Sequence, residues 1–250
     1  MDRFYDIKHA KNTRDFYGLK NKDGLSICTH NFVRSCTLDK LRKADIDKLS
    51  NVSLIIDLRD KDETEEKRDK VIPFTEYKNM PLFSKTTAGI SLSTKSIEAL
   101  DHLPNMCDIY HNMALEEDCI NHLKSIFNEI IDHDGGVLWH CSEGKDRCGF
   151  VSALFLSILD IPYETIMEDY LATNLVPSKN KKRYYKLILF ATRDKKKADA
   201  ILPLFEAREE FLNSSFDAIK DNYGSVDNYL KNALGITDEM KEKLKAKCLK

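Results

Sequence analysis

Val137-Leu-Trp-His-Cys-Ser-Glu-Gly-Lys-Asp-Arg-Cys-Gly149 is the stretch of this 250-residue chain on which the fold turns. It belongs to an apolar run, Gly136 to Cys141, of the kind that forms a strand buried on both faces. It leads into Gly149 to Leu159, which is apolar almost all round and so reads as a buried helix that begins near Arg147. A tight loop joins the two. The backbone N–H groups of residues 142 to 147, with the unsatisfied donors of the helix N-terminus, are expected to face inward and bind an oxyanion. Gly144 lets the backbone turn closely around such an anion. The same positive field lowers the pKa of Cys141, and cysteines so placed reach about 3.5–7.5. Arg147, six residues after Cys141, can return to the loop centre and hold two phosphate oxygens with its guanidinium fork.

Outward from this stretch, Val52 to Leu58 is a second β-branched, buried-strand pattern. Amphipathic segments precede both strands, Leu38 to Leu49 before the first and Leu115 to Ile131 before the second. That alternation predicts an α/β fold with a largely parallel central sheet. Asp57, Arg59 and Glu63 follow the first strand, where such sheets present functional residues. Asp57 either pairs with Lys145 or Arg147 across the pocket mouth or forms a structural ion pair. Lys61 to Lys70 reads as a solvated helix. Beyond Arg147 the pattern is wholly helical, with helices expected over Tyr163 to Asn174, Lys179 to Thr192, Ala198 to Lys220, Val226 to Leu234 and Asp238 to Leu249. No repeat, linker or low-complexity tract divides the chain, so one domain over residues 1–250 is expected.

Composition excludes several classes. With 39 Lys+Arg against 41 Asp+Glu, the net charge of −2 does not suit a dedicated nucleic-acid binder. The longest apolar run, Val151 to Ile161, is too short to cross a bilayer. The opening MDRFYDIKHAKN is charged throughout and is no secretory signal, and seven cysteines in a chain of this length do not read as a disulfide framework. A reducing, cytoplasmic setting is the expectation. Cys28, His30 and Cys36 lie close in sequence but lack a fourth ligand, so strand packing rather than metal binding is expected of them.

The Cys-x5-Arg spacing, His140 in front of it and the longer string His-Cys-x-x-Gly-Lys-Asp-Arg-x-Gly resemble the bacterial and fungal tyrosine-protein phosphatases that also act on phosphoinositides. The resemblance runs through Asn12-x-Arg14-Asp15-x-x-Gly18, Arg34-Ser35 with Leu38 and Leu41, Asp57-Leu-Arg-x-x-x-Glu63, Asp169-Tyr170-Leu171 with Asn174, and Tyr229-Leu230 with Leu234-Gly235-Ile236-Thr237. It implies a tyrosine-phosphatase-like fold, a central mainly parallel sheet flanked by helices, with an added helical lid over roughly residues 175–220. It also implies a cofactor-free phosphomonoesterase acting on phosphotyrosine proteins or phosphoinositides, in which Cys141 is the nucleophile. Ser142, Glu143, Gly144, Lys145 and Cys148 then line the phosphate site beside Arg147, and His140, Asp57 and Arg59 support it.

The general acid has two candidates. Asp146 matches the position that resembling enzymes are thought to use, and Asp108 lies near where dual-specificity phosphatases keep theirs. No Trp-Pro-Asp loop exists, because the single tryptophan is Trp139. Lys145 either handles inositol phosphates, as the resemblance suggests, or is an exposed loop lysine. Cys148 stands where the family has Thr or Ser, and a thiol is a weaker donor to the catalytic sulfur. It can be a redox partner of Cys141 or a space-filling residue. Lys179 to Lys197 carries nine basic residues and one acid, and reads as a lid, an anionic-membrane contact or a solvated face, of which the resemblance favours the lid. Two rival readings of the whole chain are a catalytically weak phospho-ligand binding module and a rhodanese-like sulfurtransferase.

Overall fold

A computed structural model of the chain describes residues 3–83, 103–177 and 179–250, the side chain of Lys179 excepted. Five strands form one sheet: β1 (Arg14–Asp15), β2 (Phe32–Ser35), β3 (Val52–Asp57), β4 (Glu76–Asn79) and β5 (Gly136–His140). Their order is β1-β2-β5-β3-β4, with β1 antiparallel to β2 and every other pairing parallel. The expected α/β sheet is therefore present, with β5 at its centre and buried at every residue. Parallel register brings Ser35, His140 and Asp57 level with one another at the carboxyl edge. Ligands bind at that edge in open α/β sheets.

Eleven helices surround the sheet among the described residues: α1 (Lys43–Ile46), α2 (Lys61–Glu66), α3 (Met106–Leu115), α4 (Glu117–Asp132), α5 (Asp146–Ile158), α6 (Tyr163–Leu171), α7 (Lys179–Thr192), α8 (Lys195–Ala200), α9 (Glu209–Tyr223), α10 (Val226–Asn228) and α11 (Asp238–Cys248). Successive side chains of β5 point to opposite faces. Val137 and Trp139 join the larger core with α3, α4, α5 and α9, and Leu138 joins a smaller one with Val33, Leu38, Leu41, Leu49 and Ile55. Trp139 is the hinge of the larger core. It stacks on Phe16 at 5.6 Å, meets Phe155 at 5.3 Å and donates its indole N–H to Ser152 Oγ at 3.0 Å. The helix α5 is buried on nearly all sides, as its apolar circumference requires. No helix of the described residues is long and apolar enough to cross a membrane.

Four expectations need correction. Leu38 to Leu49 is not one helix: Leu38 and Leu41 are buried in an irregular turn, because the Leu38 N–H is taken by Asp69 Oδ1 at 2.8 Å, and only α1 and a single turn over Asp47–Leu49 are helical. Ala198 to Lys220 is broken, since Pro203 sits at the start of a short turn, Leu202–Leu204, that separates α8 from α9. Lys61 to Lys70 is helical only to Glu66, and its Asp69 turns inward to Arg59 and His140. The helix α9 is part of the main core through Phe211, Leu212, Phe216 and Ile219, so it is not a covering element.

A buried charge network ties the N-terminal segment to α6. The Asp169 carboxylate accepts from Arg14 Nε at 3.2 Å, Arg34 Nη1 at 2.9 Å and Arg3 Nη1 at 2.7 Å. Burial opposes its ionisation, but the three guanidinium groups hold its pKa well below the ordinary carboxylate value. Asp169→Ala leaves Arg14 and Arg34 buried against each other, and a stability loss of about 3–5 kcal/mol is expected in denaturant titration.

Candidate active site

The loop between β5 and α5 is shaped from outside. The Ser142 carbonyl accepts from Thr37 N–H at 3.3 Å, and Asn12 Nδ2 donates to the carbonyls of Glu143 at 3.3 Å and Gly144 at 2.9 Å. Arg34 Nη2 donates to the Gly144 carbonyl at 2.9 Å and the Lys145 carbonyl at 3.4 Å. In a planar trans peptide the N–H points opposite the carbonyl. Holding four successive carbonyls outward therefore turns the amides of residues 143 to 146 toward the interior of the loop. Gly144 is required at its place: its φ is +67°, and a Cβ there would lie 2.6 Å from the Ser35 carbonyl oxygen.

Cys141 lies within this ring, 3% exposed. Its pKa is lowered from 9.0 to about 5, first because the Cys148 thiol hydrogen-bonds to the sulfur. Burial opposes the thiolate, while the Arg147 charge and the Cys148 backbone N–H favour it. Burial and the neighbouring Cys141 charge keep Cys148 itself protonated, and its thiol also lies within reach of the Ser35 carbonyl at 3.6 Å and the Trp139 carbonyl at 3.9 Å. Elsewhere burial, with neighbouring negative charge, prevails, and Cys36, Cys119 and Cys248 are pushed up to about 12.

Arg147, in the first turn of α5, is held by Glu63. Nη1 and Nη2 donate to the two Glu63 oxygens at 2.5 and 2.9 Å, and Nη1 reaches the Leu58 carbonyl at 3.4 Å. These bonds use three of the five guanidinium N–H donors. Of the remainder, Nε–H is buried without a partner among the described residues. Those free donors suit two oxygens of one bound phosphate. Glu63 also accepts from Ser142 Oγ at 2.5 Å. Burial would raise its pKa, yet Arg147, Ser142 and the Asp60 N–H lower it to about 2.

Asp57 does not reach Lys145 or Arg147; it forms the structural ion pair instead. Arg59 Nε and Nη2 donate to it at 2.9 and 2.6 Å, and Tyr77 Oη donates at 2.7 Å. Arg59 also bonds Asp69, which ion-pairs with His140 Nε2 at 3.0 Å. Burial favours the neutral imidazole, but Asp57 and Asp69 outweigh it and raise the His140 pKa. Asp57, Asp69 and His140 are near enough to share a cation, but Arg59 bridges both carboxylates and supplies the positive charge. Cys28, His30 and Cys36 form no such group: the Cys28 thiol donates to the Cys248 carbonyl at 3.3 Å, and His30 pairs with Asp15 and stacks on Tyr17.

Lys145 is not an exposed loop lysine. It is 3% exposed, and Nζ donates to the carbonyls of Leu204 at 3.0 Å and Glu206 at 3.1 Å and lies 3.4 Å from Asp146 Oδ1. Asp146 is also buried and accepts from Tyr110 Oη at 2.9 Å. Asp108 is exposed in the first turn of α3 and forms no hydrogen bond or ion pair with the loop among the described residues. Glu143 keeps an exposed side chain at the rim. Sequence reasoning placed Glu63 among the residues at the end of β3 without giving it Arg147 as a partner, and gave Asn12, Arg34 and Asp69 no task. Glu63, Asn12 and Arg34 were visible inside quoted motifs, whereas Asp69 sat in a charged run that looked solvated.

Two outcomes follow from this geometry. Iodoacetamide alkylation of Cys141 is expected to rise through a midpoint near pH 5, where the thiolate forms. Cys148→Ala should move that midpoint upward and Cys148→Ser should restore it. Glu63→Ala, which frees Arg147 to swing, should lower kcat/KM for an aryl phosphate about a hundredfold with the fold retained by circular dichroism.

A model of the tyrosine phosphatase family matches residues 5–250. The chain is 36% identical over 101 residues to a protein of Cupriavidus necator named as a tyrosine-protein phosphatase, covering 40% of this chain and 36% of that one. It is 29% identical over 142 residues to a tyrosine-protein phosphatase of Nostoc commune, covering 56% and 47%. It is 32% identical over 106 residues to the triple specificity protein phosphatase PtpB of Mycobacterium tuberculosis, covering 39% and 38%. The aligned part thus spans less than half the length of each of these curated relatives. Because the family match runs through both carbonyl-clamp segments, the loop after β5 and the C-terminal helices, the chain belongs to the tyrosine phosphatase family.

Proposed function

We propose that the protein hydrolyses phosphotyrosine in proteins by a cysteine-dependent route. The observation that carries this is the Cys141 thiolate, with a pKa near 5, set inside a ring of inward amides beside the unpartnered Nε–H of Arg147. The sulfur attacks phosphorus in line and forms a phosphocysteine while the tyrosyl oxygen departs. Loop amides and Arg147 stabilise the charge on the equatorial oxygens. Asp146, buried beside the loop, donates the proton to the leaving oxygen and then takes one from the water that cleaves the phosphocysteine. A Cys141 only 3% exposed favours a long phenolic ester over the shorter serine and threonine phosphates.

Phosphoinositide activity is a second reading, supported by one feature. A groove of about 360 Å³ adjoins Ser142 and Glu143 and is lined by Lys8, Lys11 and Lys40, together with Asp39. The lysines suit a ligand carrying more than one phosphate. The Leu204–Glu206 segment, held by Lys145, serves as the inner edge of a lid, and its release would free the Lys145 ammonium for that ligand.

Steady-state hydrolysis in EDTA of a phosphotyrosine peptide, a phosphoserine peptide and a phosphoinositide series tests both readings. Cys141→Ser should abolish turnover, Asp146→Asn should lower kcat about 10²–10⁴-fold, and Asp108→Asn should stay near wild type. Tight phosphopeptide binding without turnover would establish the binding-module reading instead, and persulfide transfer from thiosulfate would establish the sulfurtransferase.

A further inference from the structure

The helix α7 has two unlike faces. Its inner side is settled within a small cluster of its own: Ile188 packs with Ala198 and Ile201, Tyr184 stacks on Phe205 at 5.9 Å, and Tyr185 Oη donates to Asp199 at 3.1 Å. Lys181 pairs with Glu206 on the same side. No described residue packs over the outer side. At 100° per residue, Lys182, Arg183, Lys186 and Phe190 fall within one third of the circumference, with Leu187 at its margin. Phe190 is 86% exposed and Leu187 57%. The three basic side chains are exposed and form no ion pair among the described residues.

A solvated helix face has no use for a bare phenylalanine amid cations, and an acidic protein segment would pair the charges without needing the ring. A bilayer surface uses both: anionic headgroups meet the Lys and Arg side chains while Phe and Leu enter the acyl boundary. We infer that the outer face of α7 docks on an anionic lipid bilayer, with Phe190 as the inserted anchor and Lys182, Arg183 and Lys186 as the headgroup contacts. The docking is independent of which phosphate ester the catalytic loop hydrolyses.

Co-sedimentation of the full chain with vesicles of phosphatidylcholine alone, and of phosphatidylcholine with phosphatidylserine, tests this. Phosphatidylserine is a phosphodiester, so the proposed catalysis does not consume it. Partition into the phosphatidylserine vesicles only, reversed by salt, is expected. Phe190→Ala should weaken it about tenfold, and joint Lys182→Gln, Arg183→Gln and Lys186→Gln about a hundredfold, both with wild-type melting temperatures. Phe190→Trp should add a fluorescence signal that shifts to the blue and is quenched by brominated lipid. No partition, or partition that neither variant weakens, would overturn the proposal. So would binding to soluble polyglutamate that equals vesicle binding and ignores Phe190, since the partner would then be an acidic polypeptide.

Discussion

Everything at the site depends on where the carbonyls of residues 142 to 145 point. Left alone, a five-residue loop would direct its polar groups wherever water met them. Asn12, Arg34 and the Thr37 N–H take those carbonyls from outside, and peptide planarity delivers the amides to the inside. The clamp is itself anchored, since Arg34 shares Asp169 with Arg14, and Arg14 bonds the Asn12 side chain. A charge network distant in sequence thus decides the electrostatics around Cys141.

A second network stands on the other side of β5. Asp57, Arg59, Asp69 and His140 form a buried group in which Arg59 bridges both carboxylates and His140 lies against Asp69. Buried pairs of this kind contribute little net stability against an apolar replacement, but removing one partner is costly. Their value here is geometric, because they fix the strand ends of β3 and β5 from which Glu63 reaches Arg147 and the loop departs. Glu63 then divides the guanidinium donors, taking two for support and leaving others for a phosphate.

Two residues show how tertiary context rewrites a motif. Cys148 in place of a hydroxyl residue remains a donor because burial keeps its proton on, and its hydrogen bond is the foremost reason for the acidity of Cys141. Lys145, inside the same motif, is engaged by carbonyls some sixty residues away, so its charge serves the covering segment as well as the loop.

The strands β3 and β5, the buried α5 and the loop that joins β5 to α5 were legible in the sequence, because apolar periodicity, a glycine and a Cys-x5-Arg spacing are local properties. The family motifs also marked Asn12, Arg34 and Glu63 as special without saying why. Only the folded chain decided that Asp57 pairs with Arg59 rather than with the loop, that Asp69 leaves its charged run for the interior, and that Lys145 is latched. The physical reason is common to all three. A charge chooses among partners by distance and by the water excluded around it, and both are set by segments that parallel strand register brings together from remote parts of the chain.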